Sequence, residues 1–316
     1  MDFIVQQALL IESLLNESKL MDFFDSFPAM DRQGLRDLKK GIDSSFREFS
    51  RSYGEGIEDF FEPLLHFLVW LEKLLIDAPW PIVIIGIAGL AWIGSRSWKL
   101  VAGTVLAFLV IGYFGMWKDT MATLAIISVA TLLCISFGIP FGIWMARSDR
   151  VQAAITPILD VMQTIPSFVY LIPVVMLLGI GKVPGLIAVC IYAIPPLVRL
   201  TNLGIRLVDK EVLEAADAFG ADYRQKLFGV QIPLALPNIF AGVNQTIMMS
   251  LAMVVIASMI GVKGLGLPVL RAVSNQYLAL GLLNGLAIVI LAIIFDRVSQ
   301  AYGRRLQAHR EGSGHD

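Results

Sequence analysis

The stretch RLVDKEVLEAADAFGADYRQKLFGVQIPLALP, residues 206–237, has the most specific pattern in this chain. It is polar and helical in pattern at first, Gly220 interrupts it, and a second short helical stretch covers residues 221–228. A glycine and two prolines follow. Helix, glycine turn, helix and proline stop predict a compact, rigid hairpin that ends at Pro233.

The composition of the whole chain is that of a membrane protein. Of the 316 residues 56% are hydrophobic and 16% are charged, whereas soluble domains have roughly 45–50% and 25%. A large cytosolic enzyme, a disordered protein and a disulfide scaffold are therefore poor fits. A membrane helix needs about 20 apolar residues, so the sequence predicts an all-α polytopic protein. Seven stretches approach that requirement, at about 79–95, 100–117, 120–146, 154–180, 184–205, 238–261 and 279–300.

Basic residues divide unevenly between the predicted loops. With the N-terminus outside, the inside loops hold 13 Lys and Arg residues, and the outside loops after residue 80 hold Lys118, Lys182, Lys263 and Arg271. Because basic loops stay in the cytoplasm, the N-terminus is expected outside and the C-terminus inside. The net charge of −1 conceals a further asymmetry, since residues 1–79 carry −7 and the remainder carries +6.

Residues 1–78 form an acidic extension for which a cleavable signal peptide is not expected. Helical spacing of apolar residues predicts a helix in its first part and an amphipathic helix over 63–76 that lies on the membrane surface before Trp80. A tether, a membrane-surface collar and a docking site for a partner all stay open. The apolar residues that carry the two patterns are Ile4, Leu9, Leu10, Ile11, Leu14, Leu15, Leu64, Leu65, Leu68, Leu71 and Leu75.

The sequence offers little for metal or redox chemistry. Cys134 and Cys190 lie in apolar runs and are expected to pack in the interior. The histidines, at 66, 309 and 315, have no ligand spacing. No catalytic, cofactor-binding or metal site is therefore predicted.

The spacing within the hairpin is specific. EAA at 214–216 is followed after three residues by Gly220 and, after nine more, by VQIP at 230–233. This pattern resembles the E-A-A signature of ATP-binding-cassette importer permeases, which is E-A-A, three residues, G, nine residues and I-x-L-P. Val230 replaces the isoleucine and Ile232 the leucine, and both changes are conservative in shape and apolarity.

The resemblance covers about residues 115–306, with five core spans as in the small methionine-type permeases. QTIPSFVYLIPVVMLLGIG at 163–181 and MIGVKGLG at 259–266 look like the permeases for proline, glycine betaine and choline. The resemblance implies a permease core at 118–306, additional spans at 79–117, a periplasmic extension at 1–78 and a cytoplasmic tail at 307–316.

The resemblance also implies the partners of the chain. The hairpin would dock on a cytoplasmic ATPase, and two copies of the chain would enclose the path beside two ATPases in a bacterial inner membrane. The solute-binding protein would be separate and periplasmic, the solute a quaternary ammonium compound, and nucleic acid is not expected. The chain has no GxxxxGK[S/T] loop, so ATP is expected on the partner subunits. The coupling residues implied are Glu214, Ala215, Ala216, Phe219, Gly220, Val230, Ile232 and Pro233.

Other polar positions are candidates for the path itself. A polar, proline-broken segment in the fourth span suggests lining of the path, although helix packing explains it equally well. An outer gate or binding-protein dock is the expectation for the loop around Lys263, and a snorkelling lysine is the alternative. Asp160 is expected to form an interfacial ion pair with Arg147 or Arg150. The candidate residues are Gln163, Thr164, Pro166 and Ser167 for the path, and Lys263, Gly264 and Gly266 for the gate.

Three other functions stay open at this point. A permease for an amino acid or another small polar solute would have the same hairpin. An ion-coupled secondary carrier would need buried ionisable residues and repeat symmetry, and few buried charges and no convincing inverted repeat are evident. A membrane scaffold or sensor would not require the E-A-A spacing.

Overall fold

The protein is described by a computed structural model over residues 29–311, with side chains to residue 303. The helix predicted around Ile4 and Leu15, and residues 312–316 of the predicted tail, lie outside the described residues. Within the described range the chain is helical, with no strand, as the sequence predicts. The fold class is therefore confirmed as all-α.

The helices follow the apolar runs of the sequence closely. Two short 3-10 turns, Ser167–Tyr170 and Ser258–Ile260, and one π turn, Leu227–Gln231, interrupt them. The α-helices in the described range are α1 Arg32–Asp77, α2 Trp80–Ser95, α3 Trp98–Tyr113, α4 Trp117–Arg147, α5 Asp149–Thr164, α6 Leu171–Leu178, α7 Lys182–Arg206, α8 Lys210–Ala218, α9 Tyr223–Lys226, α10 Ile232–Ala257, α11 Gly266–Asn275 and α12 Leu278–Glu311.

Four helical segments of the described chain are long and apolar enough to cross a membrane by themselves. Helix α3, with 16 residues, is a shorter apolar helix, and two bent helix pairs pass the same test only when their halves are combined. Each of the seven predicted stretches contains a helix, and the count of seven spans stays a prediction. The four segments are Trp117–Arg147, Lys182–Arg206, Tyr223–Ile260 and Leu278–Gly303.

The predicted span at 154–180 is broken beside Pro166, as the sequence predicts. Helix α5 and the segment Ser167–Leu178 meet at 107°. Ile165, which precedes Pro166, is extended with ψ 129°, since a following proline disfavours the helical conformation. The polar residues around the break therefore lie at a sharp bend of the chain.

Helix α7 packs along both α4 and α10. Small residues allow the close approach: a Cβ on Gly142 would lie 2.5 Å from the Cβ of Thr201, and one on Gly204 would lie 2.7 Å from the Cβ of Asn238. Where lipid surrounds a protein, such small-residue contacts replace the hydrophobic driving force between helices. Cys134, on α4, is buried and free, as predicted.

The chain divides into two compact units between Tyr53 and Gly54, a division that lies within α1. In the described part of the first unit, Asp31 starts α1 by accepting hydrogen bonds from the backbone N–H groups of Gln33 and Gly34, at 3.1 and 3.0 Å. The predicted domain limits at 78 and 117 stay predictions.

The second unit contains the predicted helix over 63–76, but its surroundings differ from the prediction. Leu68 is 1% exposed and belongs to the main hydrophobic core, and Leu64, Leu71 and Leu75 pack against that core. Glu72 forms an ion pair of 2.6 Å with Lys182 at the start of α7. The face that carries these leucines is therefore covered by protein, whereas Phe67, Trp70 and Leu74 of the same stretch are exposed.

Candidate coupling hairpin, path and outer gate

The first arm of the hairpin is α8, and no residue of that helix is buried. Asp209 caps it by accepting a hydrogen bond from the backbone N–H of Glu211 at 3.0 Å. The arm ends at Gly220, whose φ is +75°. The N–H of Gly220 donates to the carbonyl of Asp217 at 2.9 Å, a turn in which glycine is favoured because it has no Cβ. The turn forms at the glycine where the sequence predicts it.

The second arm starts with a capping box. The Asp222 side chain accepts from the N–H of Gln225 at 2.7 Å, and the Gln225 side chain accepts from the N–H of Asp222 at 2.8 Å. Lys226 then reaches back to Asp217 of the first arm at 2.5 Å. This ion pair joins the two arms directly, so that the turn is held by side chains as well as by backbone.

Apolar side chains project from both arms of the hairpin. Phe219 is 92% exposed and Phe228 is 65% exposed. Glu214 and Ala215 are also exposed, and Ala216 is half-buried. Small residues beside outward aromatic side chains form a surface that another protein can contact closely.

Pro233 does not have the position that the pattern predicts. Instead of ending the hairpin, it lies in the first turn of α10, where the φ that its ring fixes is already helical. The π turn Leu227–Gln231 runs straight into that helix, and Val230 and Ile232 are half-buried there. The hairpin is therefore continuous with a membrane-crossing helix.

Arg206 anchors the base of the hairpin, a role that the sequence does not reveal. Its guanidinium donates to Asp149 at 2.6 Å, to Asn202 at 3.0 Å and to the carbonyl of Met145 at 3.1 Å. In the sequence Arg206 is recognisable only as one of the basic residues of a predicted loop. Its spacing from Asn202, one helical turn earlier, is the local signal available.

The ion pairs of α5 differ from the prediction. Asp160 pairs with Arg199 of α7 at 2.5 Å, and neither Arg147 nor Arg150 is its partner. Arg147 instead lies over the ring of Tyr223 at 4.2 Å, which joins the end of α4 to the hairpin through a cation–π contact. The prediction of Asp160's partner was wrong because α7 packs across α5, a contact between segments about 40 residues apart.

The four candidate path residues lie where α5 ends. Gln163, Thr164 and Pro166 are exposed and Ser167 is half-buried. The Thr164 hydroxyl donates to the carbonyl of Val161 at 3.1 Å. The bend is fixed by Tyr170, whose hydroxyl donates to the carbonyl of Met162. Polar groups and a backbone break therefore share one accessible position.

The candidate outer gate is a tightly packed loop. Gly264 has φ +135°, and a Cβ there would lie 2.5 Å from the Thr123 Oγ1. The same Oγ1 accepts a hydrogen bond from the N–H of Leu265 at 2.9 Å. Gly266 is buried, whereas Lys263 is exposed. The loop thus seals against the first turns of α4 and presents its charge outward.

The gate loop contacts the chain just after α6, whereas the candidate path residues lie just before α6. A Cβ on Gly261 would lie 3.0 Å from the Cγ2 of Ile180, which follows α6. The polar residues 163–167 precede α6. The structure therefore brings the gate loop against the residue that follows the C-terminal glycine of α6.

The family profile described as "Binding-protein-dependent transport system inner membrane component" matches residues 138–308. The chain belongs to this family. The matched range includes the bend, the hairpin, the gate loop and most of α12. The chain is therefore the membrane component of a transport system.

Several members of the family are similar to this chain over most of its length. It is 51% identical over 242 residues, 77% of the chain and 68% of the relative, to the glycine betaine/proline betaine transport system permease protein ProW of Escherichia coli (strain K12). It is 44% identical, over 80% of the chain and 87% of the relative, to the glycine betaine/carnitine transport permease protein GbuB of Listeria monocytogenes serotype 1/2a (strain 10403S). It is 41% identical, over 82% of the chain and 89% of the relative, to the glycine betaine transport system permease protein OpuAB of Bacillus subtilis (strain 168).

A solved transporter supports the same fold for this family member. The inward-facing MetNI methionine ABC transporter matches it with a TM-score of 0.54 and 18% identity, over 60% of this chain and 95% of that chain. At this identity the likeness concerns the fold alone. It agrees with the predicted methionine-type permease core.

Proposed function

We propose that this chain is the permease subunit of an ATP-driven importer for a quaternary ammonium compatible solute, such as glycine betaine, choline or proline betaine. The support from similarity is that the three relatives above are glycine betaine permeases with 41–51% identity. The structure supports the proposal because an apolar helix bundle carries an exposed hairpin next to α10. The same bundle has a tightly packed glycine loop around Gly264. Such a chain provides a path rather than a reaction centre.

The observation that carries the proposal is the exposed hairpin that continues into α10. A polar solute crosses an apolar bundle only if the bundle opens alternately to each side. Closure of an ATPase can drive that motion through a stiff contact. In this proposal Phe219 and Phe228 enter a groove on the ATPase, and the π turn transmits its displacement to α10.

The assembly has two copies of this chain, two ATPase subunits and a separate periplasmic binding protein. One chain offers one hairpin, and a twofold arrangement supplies one hairpin to each ATPase. ATP binds to the partner subunits. The N-terminus faces the periplasm and the C-terminus the cytoplasm, which places the hairpin on the ATP side.

Reconstitution tests this proposal. The chain, its cognate ATPase and binding protein are placed in proteoliposomes, and uptake of labelled glycine betaine is measured with and without ATP. We expect uptake that requires all three proteins and ATP. Uptake driven by a sodium or proton gradient without ATP would support a secondary carrier instead, and preference for labelled amino acids would overturn the solute class.

A further inference from the structure

An open cavity with a mixed polar and apolar lining lies between α10 and α12, and none of the candidate path residues at the bend of α5 lines it. Its volume is about 510 Å³, which is within the range of small-molecule sites. Phe240, Asn244, Gln245, Ser299 and Gln300 are among the residues that line it. Because polar side chains are costly against lipid, this face of the two helices is better suited to a water-filled path than to the bilayer.

Asp296 is the acidic group beside the cavity. Its Oδ1 accepts hydrogen bonds from the Asn244 Nδ2 at 2.8 Å and from the Gln300 Nε2 at 2.7 Å, both cavity-lining residues. No described side chain donates to its Oδ2 or forms an ion pair with it. A carboxylate on a membrane-crossing helix that is held by amides rather than by a cation leaves negative charge available to a ligand.

A second oxygen beside the cavity has no described hydrogen-bond donor. The Oδ1 of Asn244 is buried and accepts no hydrogen bond from the described residues. Buried acceptors normally find a donor or an ordered water. Unused acceptor capacity on Asn244 therefore lies close to the Asp296 carboxylate and adds to the negative potential beside the cavity.

An aromatic ring also lines the cavity. Phe240 lines the cavity and packs edge-on against Tyr302 of α12, with ring centroids 4.9 Å apart. That contact restrains the ring. A quaternary ammonium group is attracted to an aromatic face and to a carboxylate, and it needs no hydrogen-bond partner of its own. Gln245 and Ser299 offer donors for a solute carboxylate at the same opening.

The cavity lies towards the hairpin end of α10. Its lining residues on that helix run from Pro237 to Met248, about 8 to 24 Å from the start of the helix at 1.5 Å per residue. The hairpin joins α10 at that start. A ligand in the cavity would therefore contact the helix that is continuous with the hairpin.

We infer that this cavity is a transit site for the quaternary ammonium group of the solute on the hairpin side of the path, with Phe240 facing the methyl groups and Asp296 balancing the charge. The inference rests on the proposed function and adds a solute site to it. It also explains why polar residues on α10 and α12 coincide with an acidic group that has no described cationic partner.

Thiol protection tests the site directly. A Ser299→Cys variant, assembled with its ATPases in phosphatidylethanolamine and phosphatidylglycerol nanodiscs without the binding protein, is labelled with a maleimide in the presence and absence of choline. Background labelling of Cys134 and Cys190 is measured in the wild type. We expect choline and glycine betaine to slow labelling about three- to ten-fold, and the uncharged carbon isostere of choline to have little effect.

Matched variants distinguish the loss of this site from a general loss of the folded structure. Phe240→Leu and Asp296→Asn should each remove most of the protection, whereas Phe141→Leu on an exposed face of α4 and Asp77→Asn at the end of α1 should retain it. Equal protection by choline and its isostere, protection that survives in both site variants, or none in the parent would overturn the inference. If the wild type also fails to take up glycine betaine in the reconstitution, the proposed function falls as well. Successful uptake without protection overturns the transit site alone.

Discussion

At the scale of single residues, two glycines with positive φ have different surroundings. Gly220 has open space where a Cβ would lie, so its requirement for glycine is conformational. Gly264 combines φ +135° with a Cβ position 2.5 Å from the Thr123 Oγ1. A side chain at 264 would therefore meet both backbone strain and a collision, and it would disturb the hydrogen bond between Thr123 and Leu265.

We expect Gly264→Ala to destabilise the protein by about 1–3 kcal/mol, because both effects act on the folded state. The midpoint of heat-induced aggregation of the purified permease measures the change. Gly103→Ala in α3 is the matched control, since a Cβ there meets nothing within 4 Å and alanine suits a helix. Equal midpoints for the two variants would contradict the tight packing of the gate loop.

At the scale of elements, the hairpin is defined by local interactions and then attached by distant ones. Its caps, its glycine turn and the Asp217–Lys226 pair all lie within residues 209–226. Arg206 and the contact of Arg147 with Tyr223 tie the hairpin to α4 and α5. A unit that is rigid in itself and held at its base is suited to transmit a push to α10.

Gly220→Val should uncouple ATP hydrolysis from uptake without preventing membrane insertion. Valine at φ +75° costs at least about 1–2 kcal/mol, and relieving that strain would displace the two arms. ATP consumed per labelled solute taken up is the readout in proteoliposomes. We expect this ratio to rise several-fold, mainly through lost uptake.

Gly89→Val, in α2 and outside the hairpin, is the matched control for this change. Its Cβ position is equally free of neighbours within 4 Å, and its φ is not positive. It should therefore change the ratio much less. Normal coupling in Gly220→Val, or the same loss in both variants, would argue against the role of the turn.

At the scale of the whole molecule, charge asymmetry and helix order suggest an orientation. In the proposed orientation the basic loops and the hairpin lie on the cytoplasmic side, and the acidic extension lies on the periplasmic side. Within the second unit, the later part of α1 packs its leucines on the core, and Glu72 binds Lys182. This part of the extension is therefore built into the bundle.

Cysteine labelling in intact spheroplasts measures the orientation. Asp43→Cys and Gln225→Cys place a thiol on exposed positions of α1 and of the hairpin. A membrane-impermeant maleimide should label the first in intact spheroplasts and the second only after lysis, with the wild type as background. The reverse pattern would place the extension in the cytoplasm.

Much of the element structure could be predicted because it depends on neighbours in the sequence. Apolar runs gave the positions of the helices, and the turn at Gly220 follows from its spacing. The break in the span at 154–180 follows from Pro166, but the angle of 107° between its two halves could not be predicted, because it depends on contacts such as that of Tyr170 with the carbonyl of Met162. Pro233 was misread as a stop because a proline suits the first turn of a helix as well as the end of one.

The sequence by itself determined that this protein is a helical membrane permease with one exposed hairpin, since composition, charge and motif spacing are properties of the chain. Only the tertiary structure decided that Asp160 binds Arg199, that Leu68 lies in the core, and that Asn244 meets Asp296 at the wall of a cavity. Each of these contacts joins residues from different helices. Their pairing depends on how the helices pack, which no local pattern specifies.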